Sequence, residues 1–202
     1  MDIGKVPMEV LGRLLSKVNI KDKRVILGPQ TGEDAALINF GDKLLVAKTD
    51  PITFATDLIG WYAVQVNAND LAVMGATPKW FMATILLPEG SSENLIEDIF
   101  NQILEACEDL DITLVGGHSE ITYGLPRPIV VGAMMGEVEK GNQILTSGAK
   151  IGDSIVLTKG IAIEGTSLLA RDASDSLINV GVNIDLINQA KNLLFDPGIS
   201  VL

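Results

Sequence analysis

Residues 66–78 are Val66-Asn67-Ala68-Asn69-Asp70-Leu71-Ala72-Val73-Met74-Gly75-Ala76-Thr77-Pro78. Apolar side chains recur along this stretch at helical spacing, and the run ends at a glycine. Glycine suits the left-handed conformation that often follows the last helical residue, and the proline shortly after it cannot continue a helix. The pattern therefore predicts a helix over residues 57–74 that ends abruptly at Gly75.

Three polar residues, Asn67, Asn69 and Asp70, interrupt this apolar helix. Asn and Asp are mediocre helix formers that favour caps and turns, so a cluster of them inside a helix needs an explanation. One explanation is an exposed helix face or a frayed helix end. The other is a set of oxygen ligands held on a rigid element and directed at a cation. The stretch alone leaves both open, and the remainder of the sequence favours the second.

The composition restricts the possible partners. The chain has 202 residues, a formal net charge of −11 and 47% hydrophobic residues, which is enough apolar material for a substantial core. Nucleic acids and anionic membranes require clustered Lys and Arg, so we expect neither as a partner. A phosphate-bearing ligand would need metal ions to neutralise its charge.

Cysteine usage and the length of the apolar runs bear on the compartment. Cys107 is the only cysteine, which excludes an internal disulfide and fits a reducing environment. The N-terminus shows no signal-peptide pattern, and no apolar run has the length of a transmembrane helix. We therefore expect a cytoplasmic protein, with Cys107 as a buried core residue.

The order of predicted elements indicates an α/β or α+β fold with a mixed sheet, because strands alternate with two long helices. The strand over residues 80–87 is so apolar that we expect it to be buried on both faces. Ser91 or Ser92 can cap the helix over residues 93–110, whose apolar stripe includes Phe100 and Cys107. The other predicted helices cover residues 7–18, 165–171 and 185–194, and the other strands cover residues 24–27, 35–39, 44–48, 112–115 and 128–138.

Polar residues follow several of the predicted strands. Asp34 lies in a Gly-rich loop, Asp50 follows the strand over residues 44–48, and a turn at Gly116-Gly117-His118 follows the strand over residues 112–115. Magnesium prefers oxygen ligands and is usually held by one or two carboxylates plus substrate phosphates. Paired glycines let backbone amides approach a phosphate closely. Together these parts suffice for a Mg-nucleotide site, although each Asp taken singly is more simply a turn residue.

Several common motifs are missing. No Walker A motif is present, and its nearest approximation at residues 160–167 has Thr166 where the phosphate-binding lysine is required. No dinucleotide fingerprint follows a strand. His118 is the only histidine, so a multi-histidine metal site is excluded. His118 itself is either a loop imidazole bonded to a backbone carbonyl or a contact to a nucleotide or substrate.

Five pieces, in this order, carry a family resemblance. They are Gly4-Lys5, Gly32-Glu33-Asp34-Ala35-Ala36, Thr49-Asp50, residues 69–78 and Gly116-Gly117-His118-Ser119. The chain thereby resembles the aminoimidazole ribonucleotide (AIR) synthetase, or PurM-like, superfamily. This superfamily includes the hydrogenase-maturation protein HypE, thiamine-monophosphate kinase, selenophosphate synthetase and formylglycinamidine ribonucleotide synthetase. The sequence is most similar to the HypE-like, AIR synthase-related branch.

The resemblance implies a two-domain α/β protein. Residues 1–150 would form a PurM-like N-terminal domain that binds ATP and Mg²⁺ and dimerises by building a central barrel with a second copy. Residues 151–202 would begin a PurM-like C-terminal domain that is incomplete in this chain. The implied activity is ATP-dependent phosphorylation of a carbonyl-type oxygen on a small-molecule or protein-tail substrate. The alternatives are a non-catalytic nucleotide-binding dimerisation module, a thiamine-monophosphate-kinase-like phosphotransferase and a purely structural domain.

The resemblance also implies site residues. Asp34, Asp50 and Asp70 would bind magnesium, and Asn69 would support Asp70. The predicted cofactor-binding residues are Lys5, Asn69, Gly116, Gly117 and His118. The sequence lacks the N-terminal cysteine of the selenophosphate branch and the C-terminal cysteine tail of HypE, and it has Gly-Gly-His-Ser where the kinase and HypE branches have Gly-Gly-Asp-Thr.

Overall fold

A six-stranded mixed sheet forms the centre of the molecule, which the computed structural model describes over residues 3–55 and 57–202. Met1, Asp2 and Thr56, which belong to the predicted N-terminal domain, lie outside the described residues. The strand order is β1-β2-β3-β6-β4-β5, and β4 and β5 pair in parallel while all other neighbours are antiparallel. The strands are β1 (Val25–Leu27), β2 (Ala36–Phe40), β3 (Lys43–Ile52), β4 (Thr77–Pro88), β5 (Thr113–Thr122) and β6 (Ile129–Glu139). The mixed α/β class predicted from the sequence is confirmed.

Six α-helices accompany this sheet in the described part of the chain. They are α1 (Met8–Leu15), α2 (Ile59–Ala72), α3 (Glu93–Asp109), α4 (Ile163–Asp172), α5 (Ser174–Asn179) and α6 (Ile184–Asn192). A 3₁₀ turn (Thr146–Gly148) and a π-type turn (Leu194–Gly198) complete the regular structure. None of the described helices is both long enough and apolar enough to cross a membrane.

Helix α2 packs directly on strands β3 and β6. The approach is close because β6 has glycines under the helix. A Cβ on Gly132 would lie 2.3 Å from Asn67 Nδ2, and a Cβ on Gly136 would lie 2.8 Å from Leu71 Cδ2. Fully buried apolar side chains of this layer each contribute about 1.5–3 kcal/mol to the free energy of folding. They include Leu37, Val46, Phe81, Met134, Leu71 and Ile103.

The end of α2 confirms the prediction from residues 66–78. Gly75 adopts a φ of +76°, and the amide of Ala76 donates to the Leu71 carbonyl at 3.1 Å. A Cβ on Gly75 would lie 2.7 Å from the carbonyl oxygen of Asn142. The glycine is therefore required both by the left-handed turn and by the neighbouring chain.

Strand β4 contradicts the prediction of burial on both faces. Phe81, Ile85 and Leu87 are buried towards the helices, whereas Met82 is 38% exposed on the opposite face. This second face is apolar, but no helix of the described chain covers it. The prediction was wrong because hydrophobicity does not reveal whether a face is covered by the same chain.

Two further predictions need correction, and one helix was not predicted. The predicted turn at residues 116–118 is part of β5, because parallel pairing with β4 continues to Thr122. Strand β3 extends past Asp50 to Ile52 through its pairing with β6. Residues 174–179, between the predicted helices over residues 165–171 and 185–194, form a further helix, α5. The predicted helix over residues 93–110 is confirmed. Ser92 is its cap, because the Ser92 hydroxyl accepts a hydrogen bond from the Leu95 amide at 3.2 Å. Phe100, which was expected on the apolar stripe of this helix, is 43% exposed.

The C-terminal helices pack on one another, and single side-chain contacts join this part of the chain to the region where α2 begins. Arg171 Nε of α4 donates to Asp57 Oδ2 at 2.8 Å, and the rings of Trp61 and Phe195 lie 5.6 Å apart. Leu194 is buried in the main core. That residues 151–202 begin a second domain stays a prediction.

Candidate functional site

The ammonium group of Lys48 lies between two carboxylates. Lys48 Nζ is 2.6 Å from Asp70 Oδ2 and 3.5 Å from Asp50 Oδ2. Lys48 and Asp50 are two residues apart on β3, so their side chains leave the same face of the strand. Asp70 comes from the last turn of α2. One cation therefore bridges the sheet and the helix that covers it.

Asp34 completes this group from the loop before β2. Its charge acts on both Lys48 and Asp70. We call Asp34, Lys48, Asp50 and Asp70 the carboxylate–lysine cluster. The structure thus brings Asp50 and Asp70 to one ammonium, with Asp34 close enough for its charge to act on the pair, and the role of all three in binding metal stays a prediction.

The electrostatics of the cluster show an excess of negative charge. Burial raises the pKa of Asp70; the Lys48 ion pair opposes this increase, and the charges of Asp34 and Asp50 add to it. For Lys48, burial alone would lower the pKa, but the three carboxylates together outweigh it and the pKa is raised. One ammonium therefore compensates three carboxylates only in part.

The donor set of the cluster has the composition that magnesium requires. Over residues 3–55 and 57–202, no group of three or more His, Cys, Asp or Glu side chains is arranged as a ready-made metal centre. Magnesium, however, is usually held by one or two carboxylates, with waters and phosphate oxygens completing its shell. Asp50 and Asp70 already approach a single cation, Lys48, through one oxygen each. The residues present fit a magnesium ion of this kind.

A cavity of about 300 Å³ opens beside the cluster. Asp34 and Lys48 lie on its wall together with the Gly28-Pro29-Gln30 turn. The wall is completed by Leu15, Glu33, Ala35, Ala36, Ala47 and Thr49. Charged groups at the edge of such a space can contact a ligand that enters it.

Asn67 fixes the position of Asp50. Its side chain is fully buried, and its Nδ2 donates to the carbonyl oxygens of Ala63 at 2.8 Å and Asp50 at 3.3 Å. The second bond ties the backbone of β3 to α2 at the residue whose carboxylate faces Lys48. Asn67 is thus a positioning residue, whereas the sequence favoured it, with Asn69 and Asp70, as one of a set of oxygen ligands for a cation.

Asn69 does not contact Asp70 through its side chain. Its Nδ2 donates to the carbonyl oxygen of Ile199 at 2.8 Å, and its Oδ1 accepts from the amide of Val201 at 2.9 Å. The Nδ2 and Oδ1 atoms of the Asn69 side chain therefore both bond to the C-terminal segment. The observed side-chain hydrogen bonds of Asn69 thus go to the C-terminal segment, and its support of Asp70 stays a prediction.

Gly116, Gly117 and His118 lie away from the cluster. In the sheet register Gly117 pairs with Ala83, which pairs with Gly132, which pairs with Asp50. Three strand spacings correspond to about 14 Å. His118 Nε2 is 3.0 Å from Glu120 Oε2.

The two glycines border a separate cavity of about 460 Å³ next to α3, whose lining includes Phe100 and Ile103. A Cβ on Gly117 would lie 2.0 Å from the Ala83 carbonyl, so strand pairing alone requires this glycine. The phosphate-binding role expected for these residues stays a prediction.

Lys5 and Glu164 are the remaining charged residues of interest. Lys5 is exposed and has no hydrogen bond or ion pair with any residue that the structure describes. Glu164 of α4 has a raised pKa, first through partial desolvation and then through the charge of Asp50. Helix α4 therefore brings a further carboxylate near the cluster. Sequence reasoning missed Glu164 and Lys48, although the spacing of Lys48 from Asp50 on one strand was a usable signal.

The chain is similar in sequence to one protein family and to several known proteins. The family described as "AIR synthase related protein, N-terminal domain" matches residues 32–138, which contain the whole cluster. A Methanocaldococcus jannaschii protein named for hydrogenase expression/formation is 29% identical over 98% of this chain and 61% of its own length. The thiamine-monophosphate kinase of Escherichia coli K12 is 31% identical over 83% of this chain and 54% of its own.

A solved structure shares the fold. AaThiL complexed with AMPPCP and TMP superposes with a TM-score of 0.71 at 21% identity, over 96% of this chain and 62% of that one. The chain thus spans between about half and three-fifths of the length of these relatives.

Proposed function

Because the chain belongs to the AIR synthase-related family through its N-terminal domain, we propose that it binds Mg-ATP at the carboxylate–lysine cluster. The observation that carries this proposal is the approach of Asp50 and Asp70 to one cation beside a cavity. The matched relatives include thiamine-monophosphate kinases, and AaThiL has been solved with AMPPCP, an ATP analogue.

The roles of the residues follow from their positions. Asp50 and Asp70 would hold the metal, and Asp34 would add negative charge from the loop side. The metal, when bound, would neutralise phosphate charge. Asn67 keeps Asp50 in place through its backbone. Such positioning and charge neutralisation are what phosphoryl transfer mainly requires of a protein.

The predicted cofactor-binding residues outside the cluster differ in how they are placed to contact a nucleotide. Gly116, Gly117 and His118 are three strands away, so in this proposal they contact a part of the nucleotide remote from the metal. Lys5 is exposed and unpaired within the described chain, so it is available to a phosphate. Asn69 already uses both amide groups on the C-terminal segment.

The proposed reaction is ATP-dependent phosphorylation of a carbonyl-type oxygen, in a small-molecule or protein-tail acceptor. The 29% identity to the hydrogenase-formation relative over nearly the whole chain favours a HypE-like acceptor chemistry. A thiamine-monophosphate-kinase-like phosphotransfer is the second candidate, supported by the 31% identity to the Escherichia coli kinase. A non-catalytic nucleotide-binding module is the third. Consumption of ATP with thiamine monophosphate would select the second, and binding without consumption the third.

The test of nucleotide binding is calorimetric titration with Mg²⁺ and AMPPCP. The wild type should bind, and Asp50→Asn should weaken binding by more than about tenfold, because loss of even an outer-shell metal partner commonly costs that much. Asp42→Asn is the matched control, since Asp42 precedes the same strand at its distant end. Equal affinity of both variants for the nucleotide would contradict the proposal.

A further inference from the structure

The closest ion pair of the cluster uses an atom that a metal would need. Lys48 Nζ lies 2.6 Å from Asp70 Oδ2, and the Lys48 side chain is only 17% exposed. The same ammonium lies 3.5 Å from Asp50 Oδ2. Lys48 therefore faces one oxygen of each of the two carboxylates that are best placed to hold a cation.

A divalent cation and the Lys48 ammonium cannot both stay there. A divalent ion and an ammonium repel each other twice as strongly as two unit charges at the same distance. The carboxylates gain more from a divalent ion than from an ammonium, since they carry more negative charge than Lys48 compensates. Entry of the metal should therefore move Lys48 away.

A cavity next to Lys48 gives its displaced side chain space. Lys48 lies on the wall of the 300 Å³ cavity, next to the Gly28-Pro29-Gln30 turn. A lysine carries its charge on a flexible four-carbon chain, so it can change partners without movement of the strand. An ammonium released into this space beside a bound metal is well placed for a phosphate group.

We propose that Lys48 is an exchangeable counter-ion: it holds Asp50 and Asp70 together without metal, and on metal entry it moves to a phosphate of the ligand. The first half needs only the geometry of the cluster. The second half rests on the proposed function, because it requires a phosphate-bearing ligand at this site.

The experiment compares wild type with Lys48→Met, which removes the charge but keeps an unbranched side chain. Affinity for Mn²⁺ alone is measured by electron paramagnetic resonance, and affinity for Mg-AMPPCP by calorimetry. Lys48→Met should bind Mn²⁺ about tenfold more tightly, because a repelling charge is gone. It should bind Mg-AMPPCP about tenfold more weakly, because a charge-assisted phosphate contact is gone. A lysine that merely supported the fold would weaken both.

Lys79→Met is the control, because Lys79 is also a strand lysine paired with a carboxylate, Asp111 at 3.8 Å, outside the cluster. Unchanged or weaker Mn²⁺ binding by Lys48→Met would overturn the counter-ion role. Tighter Mn²⁺ binding with unchanged Mg-AMPPCP affinity would overturn the phosphate role. If the wild type binds Mn²⁺ but no nucleotide, the proposed function fails while the Mn²⁺ comparison still decides the counter-ion role.

A second measurement uses the wild type alone and does not depend on the variant folding. The acylation rate of Lys48 is followed by mass spectrometry with and without Mg²⁺. Displacement from the carboxylates should raise the rate at Lys48 severalfold relative to Lys79. A rate at Lys48 that Mg²⁺ leaves unchanged would overturn the proposal.

Discussion

The Nδ2 group of Asn67 donates a hydrogen bond to the backbone carbonyl of Asp50 at 3.3 Å, and this contact links α2 to β3 beneath the cluster. The same amide donates to the carbonyl of Ala63 at 2.8 Å. The position of the Asp50 carboxylate therefore depends on a fully buried side chain that does not itself face the cavity.

Asn67→Asp should lower the free energy of unfolding by about 2 kcal/mol, because two buried carbonyl oxygens lose their donor. The side chain keeps its shape, so the loss reports on the missing donor and on the buried carboxyl group rather than on packing. Urea denaturation measures it. Asn101→Asp, an exposed substitution on α3, is the control and should change the stability little. Equal stabilities of the two variants would contradict the positioning role of Asn67.

Gly132→Ala should destabilise the protein by about 1–3 kcal/mol through overpacking between β6 and α2. Its Cβ would lie 2.3 Å from Asn67 Nδ2 and 2.8 Å from Phe81 Cε2. The same displacement of Asn67 should weaken metal binding. Gly165→Ala on α4 meets nothing within 4 Å and is the matched control for denaturation. A Gly132→Ala variant as stable as wild type would show that α2 can move away without cost.

Cys107 predicts a pH dependence of stability. Burial raises the pKa of its thiol from 9.0 to about 11, so the folded state favours the neutral form. A raised pKa gives stability that is present below pH 9 and is lost as the pH rises towards 11. Across this window the stability advantage of wild type over Cys107→Ala should fall by about 2–3 kcal/mol.

Denaturation of both proteins at pH 8 and pH 11 measures this difference. Tyr62, whose pKa is raised to about 12, is present in both proteins and cancels in the comparison. A difference between wild type and Cys107→Ala that stays constant with pH would show that the thiol is not desolvated as the fold implies.

The uncovered face of the sheet predicts self-association. A groove of about 330 Å³ on this face is lined mainly by apolar residues, among them Phe40, Leu45, Trp80, Val115 and Met135, with Lys43 and Glu137 beside them. A second copy of the chain would bury this apolar surface. Sedimentation should show a dimer for wild type and a monomer for Trp80→Glu, with unchanged circular dichroism. Tyr123→Glu, at a residue that is 95% exposed, should remain dimeric. A monomeric wild type would contradict self-association through this face of the sheet.

Local rules predicted the parts of the fold that depend on local chemistry. The stop at Gly75 and the cap at Ser92 follow from backbone preferences that neighbouring residues determine. The convergence of Asp34, Asp50 and Asp70 followed from their places at loops and element ends combined with the family resemblance.

The features that local rules did not predict depend on contacts between residues that are distant in the sequence. Gly116 and Gly117 have the local signature of a turn, yet pairing with β4 keeps them in a strand. The exposed face of β4 could not be predicted because burial depends on which surfaces meet. Lys48 was missed because its spacing from Asp50, although visible in the sequence, acquires its meaning only from Asp70 on another element.

Asn69 and Asp70 are adjacent in the chain, yet one binds the backbone at residues 199 and 201 while the other pairs with Lys48. The last turn of α2 therefore joins the carboxylate–lysine cluster to the C-terminal segment through two consecutive residues. We expect a ligand that displaces Asp70 to alter the Asn69 contacts with residues 199 and 201 as well, because both side chains belong to the same helical turn.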